Sequence, residues 1–392
     1  MDKFQKDFLN ILKSALISEK TTIKEDFNWE DALNIAKEHD VLVMLYYGIK
    51  ASDIDASEDI MQKIKQNVYV LVQKSTFQEY EAINLYKEFD NNKIVYMPLK
   101  GEIIKNLYPC IEMRYMGDID VLIKSEQYDL IKDIMQKNGY NELCESDHEY
   151  IWDKPGKLHI ELHKHLIPSY NKDYFSYYKD SWKNAKKLSE TNYCLSDEDF
   201  FTYIFTHLAK HYRDGGIGIK HFVDLYVFLN KVKDLDKKYV EKELEKLNLT
   251  TFYKNVLNTV DVWFNDKEEN EISDFITNKV FSSGAYGTKY NKLMAEALKK
   301  SKSLNSTKNI RMIYVFQNIF PSYKKMEKRN PILKRIPFLL PALWIVRWFE
   351  ILFFNNNLIK EKGQEIYNTS EENVKKYQDE LNFVGLDYNF KE

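Results

Sequence analysis

Met116-Gly117-Asp118-Ile119-Asp120-Val121-Leu122-Ile123 is the stretch on which the fold of this chain turns. It reads as a β-strand entered through a glycine, with two acids two residues apart at its start. Side chains alternate across a strand, so Asp118 and Asp120 are expected on one face. Two adjacent carboxylates repel each other unless a cation lies between them. Oxygen-only ligands suit Mg²⁺, which also binds the phosphates of a nucleotide. Gly117 allows backbone and substrate to approach closely.

Upstream, Ile94-Val95-Tyr96-Met97-Pro98-Leu99 reads as another strand, and it runs into Lys100-Gly101 and a short helix. Backbone N–H groups at a helix start attract phosphate, and Lys100 adds a point charge. Downstream, Ser125 is expected to cap a helix that ends at Gly139. Glu149-Tyr150-Ile151-Trp152 and Leu158-His159-Ile160-Glu161-Leu162 flank Lys154-Pro155-Gly156-Lys157, which is a hairpin signal. The second arm places His159, Glu161 and His163 on one face. A phosphoryl-transfer site with two metals needs a third acid from a neighbouring strand, and Glu161 is the candidate. The intervening helix and hairpin are long enough to bring its strand beside the first.

The rest reads as helix. Phe4, Phe8, Ile11, Leu12, Ala15 and Leu16 recur at helical spacing, Asn28-Trp29-Glu30-Asp31 looks like a helix start, and a long helix fits Ile60 to Phe89. Beyond Ser196, which offers a cap before three acids, helices are expected over 197–213, 218–231, 236–265 and much of 287–360. The expectation is an α+β chain: an N-terminal helical region (1–90), a sheet-containing catalytic core (91–190) and a C-terminal helical domain (191–392).

Leu99-Lys100-Gly101, Leu107-Tyr108-Pro109, Arg114 and the Gly117-Asp118-Ile119-Asp120 strand resemble the uncharacterised nucleotidyltransferase family of the DNA polymerase β-like superfamily. Glu161-Leu162-His163, His207-Leu208-Ala209-Lys210-His211, Asp224-Leu225 and Phe320-Pro321 extend the resemblance over about residues 28 to 350. Glu102 stands where the wider superfamily has glycine or serine. The resemblance implies a nucleotidyltransferase-type mixed sheet, two bound Mg²⁺ (or Mn²⁺) ions, and transfer of a nucleoside monophosphate from an NTP such as ATP to an acceptor. It implies that Asp118 and Asp120 hold both ions, and that Glu161 completes the acceptor-side metal and helps activate the attacking hydroxyl. Lys100, Gly101, Arg114 and Gly117 would hold the nucleotide.

Composition narrows the partners. A net charge of −3 over 392 residues argues against long nucleic acid, leaving a small molecule, peptide or protein as acceptor. Three widely spaced cysteines give no disulfide framework or thiolate zinc motif, and charges interrupt every apolar run at the N-terminus. A reducing, cytoplasmic setting is expected. His207 and His211 lie one helical turn apart, with His221 and Asp224 following. They read as a polar junction against the cleft or, in a competing reading, as the centre of a zinc hydrolase. Between 292 and 335, twelve Lys or Arg face two acids, and an apolar segment with Pro337, Pro341, Arg347 and Glu350 follows. That segment is expected to be buried or interfacial rather than spanning, so 292–354 is a candidate peripheral membrane contact. A degenerate nucleotidyltransferase that only binds nucleotide or a partner is the other alternative.

Overall fold

The computed structural model describes residues 1–23, 26–52, 54, 56–156, 158–303, 312, 316, 319–354 and 368–388. Its centre is a mixed sheet of strands β1 (Tyr96–Pro98), β2 (Ile119–Ile123), β3 (Asn141–Glu145), β4 (Glu149–Lys154) and β5 (Leu158–His163). Their spatial order is β1-β2-β5-β4-β3, with β2 and β5 parallel and the other neighbours antiparallel. The hairpin read from the sequence joins β4 to β5, with Lys154 opposite Leu158.

Alternation gives the sheet two unlike faces. Ile119, Val121, Ile160, Leu162 and Trp152 are buried in one apolar cluster. That cluster also takes Ala82, Leu85 and Phe89 from helix α4 (Glu58–Asn91), and Ile131, Ile134 and Met135 from a helix over Tyr128–Lys137. The period of 2 in the strands therefore sends Asp120, Glu161 and His163 to the opposite face.

Around the sheet lie α1 (Lys3–Ile17), α2 (Trp29–Glu38), α3 (Leu42–Ser52), α8 (Asp197–Arg213), α9 (Ile219–Lys231), α11 (Thr250–Phe264) and α12 (Glu271–Phe281), with α5 (Gly101–Ile104), α6 (the Tyr128–Lys137 helix), α7 (Lys172–Tyr178) and α10 (Lys237–Lys246) completing the series. Several starts are as the sequence suggested. The Asn28 side chain accepts from Asp31 N–H, and Ser196 Oγ accepts from Asp199 N–H at 3.1 Å.

Other expectations are corrected. Asp118 lies on a bend just before β2 rather than in the strand. Ser125 opens a 3₁₀ turn and does not cap α6, which begins at Tyr128. The helix after Lys100 is a single α turn continued as a 3₁₀ turn, because Pro109 disfavours helical backbone at Tyr108. The helix read over 236–265 is two, α10 and α11, parted at Asn248, whose φ of 56° is left-handed.

Compactness divides the described chain into two units. The first comprises 1–212, 216–286 and 384–386, and the second comprises 213–215, 287–383 and 387–392. The second contains helices over Lys289–Ser303, Tyr323–Arg329, Leu340–Phe354 and Glu371–Val384. Of the two expectations for the apolar segment, buried or interfacial, full burial is not what the Leu340–Phe354 helix shows: Ile345, Val346 and Phe349 are at least half exposed. Trp344 and Trp348 turn inward on Phe320, with ring centroids 5.1 and 5.2 Å away. Among the described residues, no helix is long and apolar enough to cross a membrane. Part of the basic 292–335 stretch lies outside the described residues.

His39 fastens the first unit. Its Nδ1 accepts from Ile219 N–H at 3.1 Å, and its Nε2 faces the Phe281 carbonyl at 3.3 Å, so the neutral ring with the proton on Nε2 satisfies both. Burial holds its pKa down, at about 4 against an ordinary 6.5. The unfolded chain takes up the proton first, so this stability is complete above 6.5 and is lost as pH falls toward 4. The loss expected from this one group is about 3 kcal/mol. Urea unfolding of wild type and His39→Asn at several pH values between 7 and 4 checks this, and the variant's acid slope should be shallower.

Candidate active site

The carboxylate face of the sheet looks into a cleft of about 340 Å³, lined from the first unit by the sheet, α5, α8 and α9. Parallel pairing of β2 with β5 sets Asp120 directly beside Glu161, with Ile119 beside Ile160. Asp120, Glu161 and His163 offer ligand atoms that all lie within 4.8 Å of one another. Asp118 lines the same cleft from the entrance of β2 but is not part of that tight group.

Lys100 closes the site from below. Its φ of 47° and ψ of −119° are a turn conformation that favours glycine, and such strain collects at functional positions. The backbone is held there by Leu99 N–H donating to Asp120 O at 3.0 Å, and the side chain by Nζ donating to Asp120 Oδ1 at 2.6 Å. Gly101 follows because a Cβ there would stand 2.8 Å from Met116 Sδ. Glu102, the departure from the superfamily's small residues, points away. It is buried against Lys105 at 2.8 Å, and Lys105 also binds Glu79.

The electrostatics separate the three acids. Burial alone would raise Asp120, but Lys100 and His163 (Nε2 2.6 Å from Oδ1) outweigh it and hold this carboxyl well below the usual range. Burial and then Asp120 push Asp118 upward. The same two causes push Glu161 up to about 8. Two carboxyls held upward beside a third held downward is the pattern expected where acids face one another without a cation, so this donor set fits a hard divalent ion.

The remaining expected residues divide. Arg114 lines the cleft, but its Nε and Nη2 bind Asp224 at 2.6 and 2.9 Å, and Nη1 donates to Tyr115 O at 2.8 Å. Tyr108 OH donates to the same aspartate at 2.7 Å. His207 and His211 face each other across 3.1 Å on α8, and burial holds both far toward the neutral form. Asp224 is engaged by Arg114, so among the described residues His207, His211 and Asp224 do not converge as a three-ligand group.

Sequence reasoning missed Lys220 and His148. Lys220 reaches the cleft from α9 and pairs with Asp40 at 2.6 Å. His148 sits on the turn before β4. Neither belongs to a spacing pattern that a sequence displays.

A family model described as an uncharacterised nucleotidyltransferase matches residues 25–265. That span holds every residue lining the cleft except Ala285 and Tyr286. No curated protein and no solved structure matches the chain.

Proposed function

The chain belongs to the uncharacterised nucleotidyltransferase family, and we propose that its cleft transfers a nucleoside monophosphate from an NTP to a hydroxyl of a small molecule, peptide or protein, with Mg²⁺ as cofactor. The observation that carries this reading is the parallel register that sets Glu161 beside Asp120 on the cleft-facing side of the sheet. Asp118, Asp120 and Glu161 would hold the ions. Bound there, they would neutralise phosphate charge and favour departure of pyrophosphate.

The chain's own groups have distinct tasks. Lys100, already in contact with Asp120, supplies positive charge against the phosphates, and Lys220 adds to it from the opposite wall. Glu161, whose carboxyl is pushed up to about 8 while no cation is present, would complete the acceptor-side metal and help activate the acceptor hydroxyl. As that O–H bond breaks, the oxygen bonds to the α-phosphorus and the bond to pyrophosphate breaks. His163 orients Asp120 through its 2.6 Å contact. Arg114 reaches the phosphates only by sharing its guanidinium with Asp224.

Titrating ATP, GTP, CTP and UTP into the purified chain with Mg²⁺ by calorimetry tests this. One NTP should bind in a Mg²⁺-dependent way, and Asp118→Ala/Asp120→Ala should abolish the heat. A folded wild-type chain that binds none of the four would overturn an autonomous donor site and leave a partner-binding role.

A further inference from the structure

We propose that His148, Glu149 and His163 form a second cation site in the cleft wall, one that takes a borderline metal of the zinc class rather than Mg²⁺. His163 Nδ1 lies 3.1 Å from His148 Nε2 and 3.4 Å from Glu149 Oε2, and His148 Nε2 lies 3.6 Å from the same oxygen. Zinc bonds of about 2.0–2.1 Å at tetrahedral angles place neighbouring donors about 3.3–3.4 Å apart. The three atoms therefore already mark one face of a zinc tetrahedron.

The backbone fixes them there. Glu149 and His163 are direct cross-strand partners of β4 and β5, and Lys164 N–H donates to the His148 carbonyl at 2.8 Å. His163 is 1% exposed, so its ring has little freedom to turn away. Its tautomer is fixed as well. Asp120 can only accept, and it stands 2.6 Å from His163 Nε2, so in the neutral ring the proton is on Nε2 and Nδ1 presents a lone pair toward His148 and Glu149. A carboxylate behind a metal-binding imidazole is the usual support of a zinc ligand. An incoming ion replaces the proton that His148 Nε2 otherwise shares with His163 Nδ1.

Two imidazoles and one carboxylate are softer than three carboxylates, which sets the ion class apart from that of Asp118, Asp120 and Glu161. The new set takes no donor atom from those carboxylates. All three of its side chains line the cleft, so the remaining coordination position opens toward substrate or water, as in zinc sites that are not closed. The inference stands independently of nucleotidyl transfer.

The test uses the full-length, metal-stripped chain titrated with Co²⁺, whose visible absorption is intense when four-coordinate and weak when six-coordinate. One equivalent should give the intense band. Zn²⁺ should displace it, and excess Mg²⁺ should not. Asp118→Asn should retain the band, while His148→Gln and Glu149→Gln should each weaken Co²⁺ binding at least about 100-fold. A wild-type chain giving only the weak six-coordinate spectrum overturns the site. So does an intense band that survives either substitution in a chain with wild-type melting temperature. Failure of the nucleotide titration would leave these outcomes untouched, and Asp118→Asn keeps the two apart.

Discussion

Asp118→Asn is expected to lower the affinity of the chain for Mn²⁺ by about 100-fold or more, and the proposed nucleotidyl transfer by about 10³-fold. The first figure follows because even an outer partner of a metal ligand is worth about 10–100-fold in affinity, and a ligand itself is worth at least the upper end. The second corresponds to about 4 kcal/mol of charge stabilisation at the reacting phosphate. Asp118 is the cleanest of the three acids to test: it lies outside β2, is only half-buried, and carries none of the contacts that hold Asp120. The variant should therefore melt with wild type. The pH dependence has a definite sign. Glu161 must lose a proton held up to about 8 before it can act as a ligand, so wild-type Mn²⁺ affinity rises from pH 6 to 8. Glu161→Gln flattens that rise. Electron paramagnetic resonance of free Mn²⁺ reads the affinity loss and its pH dependence without knowledge of the acceptor, and unchanged affinity in Asp118→Asn would remove that residue from the metal set.

The part of this site that is legible in the sequence is the part that a period encodes. In a strand, alternation ties residue type to face, so His159-Ile160-Glu161-Leu162-His163 announces a polar face before any partner is known, while the same reading of Asp118-Ile119-Asp120 holds for Asp120 and puts Asp118 in a strand that it only precedes. The hairpin turn then limits where the second strand can go. What fails is whatever depends on partners distant along the chain. Asp224 reads as one acid on an apolar helix, and only packing shows that it meets Arg114 and Tyr108. His148 lies on a turn, where no period operates. Within the helical region 1–90 the bounds of α3 are not legible, because the helix is buried nearly all round, with Leu42, Val43, Met44 and Leu45 all inside, and its sequence carries no amphipathic stripe. β3 failed for the opposite reason: it is an edge strand with four of its five residues exposed, and it has no core face to alternate with.

Asp224→Ala is expected to cost about 3–5 kcal/mol, because it leaves a buried guanidinium and a buried phenol without their shared acceptor. Arg114, Asp224 and Tyr108 are each under a tenth exposed, so water cannot stand in for the lost carboxylate. Arg114 and Tyr108 come from the segment that leads into β2, and Asp224 comes from α9, so the pair ties the entrance of β2 to the helical wall of the cleft. The melting temperature should fall by on the order of 10 °C. Replacing both members, as in Arg114→Met/Asp224→Leu, removes the stranded charge together with its partner, and should recover much of that loss. The double-mutant cycle thus separates the cost of an orphaned arginine from the net worth of the pair. Asp224→Asn adds a functional arm, since it keeps the shape and one acceptor but frees the guanidinium from a full negative charge. If Arg114 reaches the nucleotide from its place on Asp224, this variant changes NTP affinity while leaving Mn²⁺ affinity alone. A fall of less than 1 kcal/mol in Asp224→Ala would mean that other contacts hold the strand entrance to the wall.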